Sequence, residues 1–255
     1  MRDFTLEKYE QLIKTIKENK IAVYGVKKWQ ELKPAGGILL RHDVDRKPRN
    51  ALKVAELEHK LGIVSTYYFR ITKSSFDEAV IKRIYELGNE IGYHYEDLSL
   101  AGGDYEKAIK LFEEHLLKLR NVVPVETIAM HGRPFSPYDN RDLWRRFNHR
   151  DFGILADAFL DVDYSGMHYL TDTGRTWGQT KANIRDKVKN ALTADVDSTG
   201  SLILFVKNNA NKKIALTMHP ERWTGSFPEW VLASLKDFTA DIVKRMYLKT
   251  VRSGK

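Results

Sequence analysis

Strand-like apolar runs alternate with amphipathic helical stretches along most of this chain. The strand-like runs cover Gly37–Arg41, Val64–Ile71, Glu90–Glu96, Glu126–His131 and Lys213–His219. Helical patterns fill Leu6–Asn19, Arg49–Leu61, Phe76–Leu87 and Tyr105–Leu119, and a last one spans about 228–248. Gly62 and Gly88 stand where helices stop. Repeated βα units predict a parallel sheet, and a barrel if that sheet closes. The run Ser201–Val206 fits a buried strand or a helix equally well, because so short a stretch does not reveal its period.

The side-chain alternation within the strands carries more information than their positions. In a barrel wrapped by helices, one set of alternate residues faces the helices and the other faces the centre. Ile38, Leu40, His42 and Val44 form one set in the first run; Gly37, Leu39, Arg41, Asp43 and Asp45 form the other. Ile91, Tyr93 and Tyr95 oppose Glu90, Gly92, His94 and Glu96, Ile128 and Met130 oppose Thr127, Ala129 and His131, and Ile214, Leu216 and Met218 oppose Ala215, Thr217 and His219. Each of the four strands therefore pairs an apolar set with a small or polar set that ends in Asp, His or Glu at the strand's C-terminal end. That end is where barrel enzymes assemble their sites. Asp43 and Asp45 read alone are equally well solvated loop acids before a helix opening at Pro48; with His94, His131 and His219 on the same parity they form a shared site.

Composition narrows the chemistry. The chain has 255 residues, enough for one large α/β domain, and no stretch reads as a linker, so a single domain over 1–255 is expected. It has no cysteine, so a metal would be held by His, Asp and Glu alone. No run approaches the roughly 18 apolar residues of a membrane span, and the N-terminal residues carry no apolar signal region, so a cytoplasmic protein is expected. The net charge is +8, but acids are interleaved with the Lys and Arg, and no basic tail or aromatic ladder accompanies them, which argues against nucleic acid. A basic balance also steers phosphorylated or nucleotide-linked substrates. His and carboxylate ligands suit zinc or a similar divalent ion, which lowers the pKa of bound water toward about 7 and polarises a carbonyl.

From Ile38 to Trp223 the chain resembles the polysaccharide deacetylase family, the family-four carbohydrate esterases. His42-Asp43-Val44-Asp45, Gly88-Asn89-Glu90-Ile91-Gly92-Tyr93-His94, His131-Gly132-Arg133-Pro134 and Leu216-Thr217-Met218-His219 are similar to its motifs and follow its order. The resemblance implies an irregular, incomplete TIM-like (β/α) barrel. It implies Asp43 as catalytic base, Asp45 and His94 as metal ligands, Arg133 as the residue that orients the base, and His219 as general acid. The second motif departs from the family: where a second histidine belongs, four residues after His94, stands Leu98. Either His131 or Glu96 could supply the third ligand, and His131 is favoured because imidazole replaces imidazole; it could instead stand in the place of the family's Arg.

Asp172, Arg175 and Trp177, in a segment with a glycine turn, and Trp223 after His219 are candidates for contact with a sugar; a tryptophan that caps the barrel core explains them equally well. Asp161 and Asp163 read as a turn. The expectation is a metal-dependent hydrolase, with zinc as the expected ion, removing an acyl group, N-acetyl foremost, from a small-molecule or oligosaccharide substrate. Hydrolysis of a non-sugar cyclic amide and non-catalytic carbohydrate binding are the alternatives.

Overall fold

A computed structural model describes residues 2–133, 135–177 and 188–253, with the side chains of 240, 241 and 243–253 left aside. The elements run α1 (Leu6–Glu18), β1 (Val23–Tyr24), α2 (Val26–Leu32), β2 (Gly37–Val44), α3 (Pro48–Lys60), β3 (Thr66–Phe69), α4 (Glu78–Glu86), β4 (Glu90–Tyr95), α5 (Asp97–Leu100) and α6 (Tyr105–Arg120). They continue with β5 (Thr127–Met130), β6 (Ala156–Asp157), β7 (His168–Thr171), α7 (Thr199–Asn208), β8 (Lys213–Met218) and α8 (Phe227–Ser253). Every strand pairing is parallel, in the order β6-β5-β4-β3-β2-β8-β7, with β1 beside the first half of β2. Among the described residues β6 and β7 end the sheet without pairing to each other, so the barrel is incomplete.

The expected alternation separates two cores. Ile38, Leu40, Val44, Ile91, Tyr93, Tyr95, Ile128, Met130, Ile214, Leu216 and Met218 pack with the helices. Leu39, Tyr68, Ala129, Ala156, Tyr169 and Ala215, from six different strands, meet in a second cluster. Inward residues from strands that distant in the sheet touch only if the sheet curls around them. Gly92 makes room for this: a Cβ there would lie 2.2 Å from the ring of Tyr68, which crosses the interior to donate to Thr127 Oγ1 at 3.1 Å.

Helix α1 buries Tyr9, Leu12, Ile13 and Ile16, one stripe of a 3.6-residue period, and each large apolar side chain withdrawn from water is worth about 1.5–3 kcal/mol. The ambiguous run at 201–206 is helical. Ser198 and Ser201 close a capping box at its start, and Leu202 and Val206 are buried one turn apart while Leu204 is exposed. Strand β3 is shorter than its apolar run, and the brief strands β1 and β6 are too short to leave a period in the sequence. Among the described residues no helix is long and apolar enough to cross a membrane.

Candidate active site

The C-terminal ends of β2, β4, β5 and β8 bring the polar inward residues together. Asp45 Oδ1 lies 3.3 Å from His131 Nε2 and 3.5 Å from His94 Nε2, and Asp43 Oδ2 lies 4.0 Å from His94 Nε2. Both imidazoles are held from behind. His94 Nδ1 is 2.9 Å from the Ala129 carbonyl, and His131 Nδ1 is 3.0 Å from Glu96 Oε2. Each Nδ1 donates to the group behind it, which turns each Nε2 toward Asp45. Asp45 Oδ1 is buried and takes no hydrogen bond, and the same is true of Asp43 Oδ1. Among the described residues no group of three or more His, Cys, Asp and Glu is placed so that it could hold a metal ion as it stands. Burial lowers the pKa of His131, but the neighbouring carboxylates of Asp45 and Glu96 lift it to about 9.

Of the two side chains that could stand beside His94, His131 is the one that meets Asp45. Glu96 lies behind it, taking Arg70 Nη2 at 2.6 Å and Arg70 Nε at 3.0 Å on its other oxygen. Leu98 is buried in α5.

The arginine beside Asp43 is not Arg133. It is Arg41, two residues earlier on the same face of β2, with Nη2 3.5 Å from Asp43 Oδ2 and Nε donating to Thr217 Oγ1 at 2.9 Å. The guanidinium is 1% exposed, lies over the Phe159 ring at 4.3 Å, and leaves Nη1 and Nη2 without hydrogen bonds. Arg133 instead stands half-exposed, 3.6 Å from Glu96 Oε2; Pro134 of the same motif lies outside the described residues. The signal for Arg41 was present in the sequence as a charge on the buried parity of a strand.

His219, just after β8, is fixed by Asp172. Asp172 Oδ1 is 2.6 Å from His219 Nδ1, both oxygens accept the His219 backbone N–H, and Arg222 Nη1 and Trp223 Nε1 donate to it at 3.0 Å each. Burial and Arg222 push the imidazole pKa down, but Asp172, with help from Asp45, lifts it to about 9. The sequence reading of Asp172 as a sugar contact is therefore corrected: it is fully buried and its oxygens are engaged inside the protein. Trp177 and Trp223 are corrected in the same way. They are 3% and 1% exposed and pack with Phe4, offering no face to a sugar. Arg175 binds Asp237 of α8 at 2.8 Å, with Arg46 on the other oxygen at 3.2 Å. Asp161 and Asp163 accept turn N–H groups of Asp157 and Ser165, as a turn requires.

Glu221, unmarked in the sequence, is buried with Oε2 unpartnered and Oε1 3.7 Å from Arg46 Nε. Burial, then the charge of Asp45, raises its pKa to about 7.

No family model matches the chain, and no curated protein does. Among solved structures, the chain is similar to a mutant of the peptidoglycan deacetylase PdaC from Bacillus subtilis, with a TM-score of 0.38 and 16% identity over 82% of this chain and 96% of that one.

Proposed function

We propose that this protein is a metal-dependent hydrolase that removes an acyl group, N-acetyl foremost, from a sugar or sugar-linked precursor. The observation that carries the reading is the meeting of Asp45 Oδ1 with two imidazole Nε2 atoms at 3.3 and 3.5 Å, each imidazole oriented through its Nδ1. Ligands about 2.0–2.1 Å from a tetrahedral zinc ion sit about 3.4 Å from one another. A ligating histidine almost always gives its other nitrogen to a carboxylate or backbone carbonyl. Asp45, His94 and His131 would hold the ion, with Glu96 and the Ala129 carbonyl behind them. The bound ion would supply Lewis acidity, polarising a carbonyl and acidifying water.

The chain's own groups supply the proton transfers. Asp43 accepts the proton of the attacking water at its unpartnered Oδ1, and Arg41 Nη2, 3.5 Å from Oδ2, holds that carboxylate in place. His219, kept protonated by Asp172, gives the proton at Nε2 to the departing nitrogen. A carboxylate base and an imidazolium acid near a cation-binding carboxylate suit amide hydrolysis. The sequence resemblance supports the same chemistry, and the arginine departs from it: Arg41 in place of Arg133.

The test is acetate release from N-acetylated amino sugars by protein loaded with zinc. Release should stop on chelation and fall by about 10²–10⁴ in His219→Ala. Binding of the sugars without any acetate release under zinc would replace a deacetylase with a lectin-like protein.

A further inference from the structure

Arg133 is the motif residue left without the task that the resemblance gives it. Around the site, Arg41 faces Asp43 at 3.5 Å, Arg175 binds Asp237 at 2.8 Å and Arg222 binds Asp172 at 3.0 Å. Arg133 reaches Glu96 Oε2 at 3.6 Å, but Glu96 already takes Arg70 at 2.6 Å and His131 at 3.0 Å. One carboxylate thus serves two guanidinium groups and an imidazole, and positive charge is left over at the outer member. The Arg133 side chain is 39% exposed, so part of its five-donor fork stays within reach of a ligand.

The same arginine lines a cavity of about 380 Å³ with His131, Ser99, Phe135, Ser136 and Tyr138. His131 belongs to the proposed metal site, so a molecule in this cavity touches the reaction centre. Tyr138 is held in the wall by Gly103, whose φ of +89° and missing Cβ let the ring come within 2.3 Å of where that atom would be. Phe135 is 52% and Tyr138 38% exposed, which provides aromatic surface of the kind on which a sugar ring lies. A guanidinium in such a wall matches the two-pronged geometry of phosphate and carboxylate, and the net charge of +8 draws anions toward the protein.

Resting on the deacylase reading above, we infer that the substrate is an acylated sugar that carries an oxyanion, phosphate or carboxylate, and that Arg133 binds this oxyanion while the ring lies against Tyr138 and Phe135. A neutral sugar would leave the guanidinium unused.

Two measurements test this on the zinc-loaded protein. The first compares kcat/KM for N-acetylglucosamine, its 1-phosphate, its 6-phosphate and the N-acetylated uronic acid. An anionic member should exceed the neutral sugar by about tenfold or more, and its identity separates phosphate from carboxylate. In Arg133→Gln the anionic-to-neutral ratio should fall about tenfold, with partial recovery in Arg133→Lys. The second measures glucosamine 1-phosphate and inorganic phosphate by calorimetry, independently of turnover. Their Kd should rise about tenfold in Arg133→Gln, with thermal melting used to verify that the variant is folded. Equal kcat/KM for neutral and anionic sugars, with anion binding indifferent to Arg133, overturns the inference and leaves the deacylase reading standing. Arg133-dependent phosphate binding without hydrolysis of any acetylated sugar upholds the anion site and overturns the deacylase reading.

Discussion

His219 and Asp172 show how a single buried pair sets a proton's availability. Burial and the Arg222 charge both work against a protonated imidazole, and Asp172 outweighs them. In Asp172→Asn those two opposing effects remain and only the smaller help of Asp45 is left, so the His219 pKa should drop from about 9 toward its ordinary 6.5. An NMR titration of the imidazole measures this directly. The sign of the accompanying stability change follows by linkage. Below pH 6.5 both the folded and unfolded imidazole carry the proton and the attraction to Asp172 is fully expressed; between 6.5 and 9 only the folded state keeps it, and above 9 the contribution is gone. Wild-type stability should therefore decline through that window, and Asp172→Asn should flatten the decline. A His219 pKa unmoved by the substitution would remove Asp172 from the proposed acid. At this scale strand residues were legible and loop residues were not. Asp43, Asp45, His94, His131 and His219 lie on or next to strands, where alternation dictates which way a side chain faces. Trp177 and Trp223 lie in loops, and Asp172 follows β7, a strand that the sequence pattern did not reveal, so no period told a buried carboxylate from an exposed one.

Between elements, a buried polar junction lies on the far side of β2 from the site. Glu58 of α3 is fully buried and accepts the hydroxyls of Tyr9 from α1, Tyr67 from β3 at 2.6 Å and Ser65 at 2.8 Å, with His42 Nε2 of β2 also at 2.8 Å. His42 in turn stacks on Tyr67 with centroids 4.4 Å apart. Burial raises the Glu58 pKa, but the charge and hydrogen bond of His42, then the hydroxyls of Tyr67 and Tyr9, bring it below 4.5. A depressed carboxylate stabilises the fold above its unfolded pKa, and that stability is lost as pH falls through the folded value. Glu58→Gln should thus cost about 3 kcal/mol near neutral pH, as expected for one partner removed from a buried pair. The gap to wild type should narrow in acid, as urea unfolding at neutral and acid pH will show; a gap independent of pH would mean that the carboxylate's charge is not what joins α1, β2 and β3. The sequence exposed half of this junction. Parity turned His42 away from the site and toward the helices, but nothing in the local pattern of α3 distinguishes Glu58 from its solvated neighbour Glu56, because the partners that bury it come from three other elements.

Across the whole molecule, the open sheet places the proposed metal ligands on strands that are not all neighbours. Asp45 follows β2, His94 is on β4 and His131 follows β5, while β3 separates the first two. An ion held by all three would join strand ends that hydrogen bonding between adjacent strands connects only in series, in a barrel whose edges at β6 and β7 do not close. Because the unfolded chain cannot present these residues together, binding must stabilise the folded state by mass action. At a free zinc concentration of about a hundred times Kd the gain is about 2.7 kcal/mol, equivalent to a rise in Tm of about 5–10 °C for a chain of this size. Differential scanning fluorimetry with zinc and with chelator measures that rise. Asp45→Ala should abolish it, since Asp45 is, among the described residues, the carboxylate that both imidazoles meet, at 3.3 and 3.5 Å. A Tm insensitive to zinc in the wild type, or an equal rise in Asp45→Ala, would take the ion away from these three strand ends and the metal-dependent reading with it.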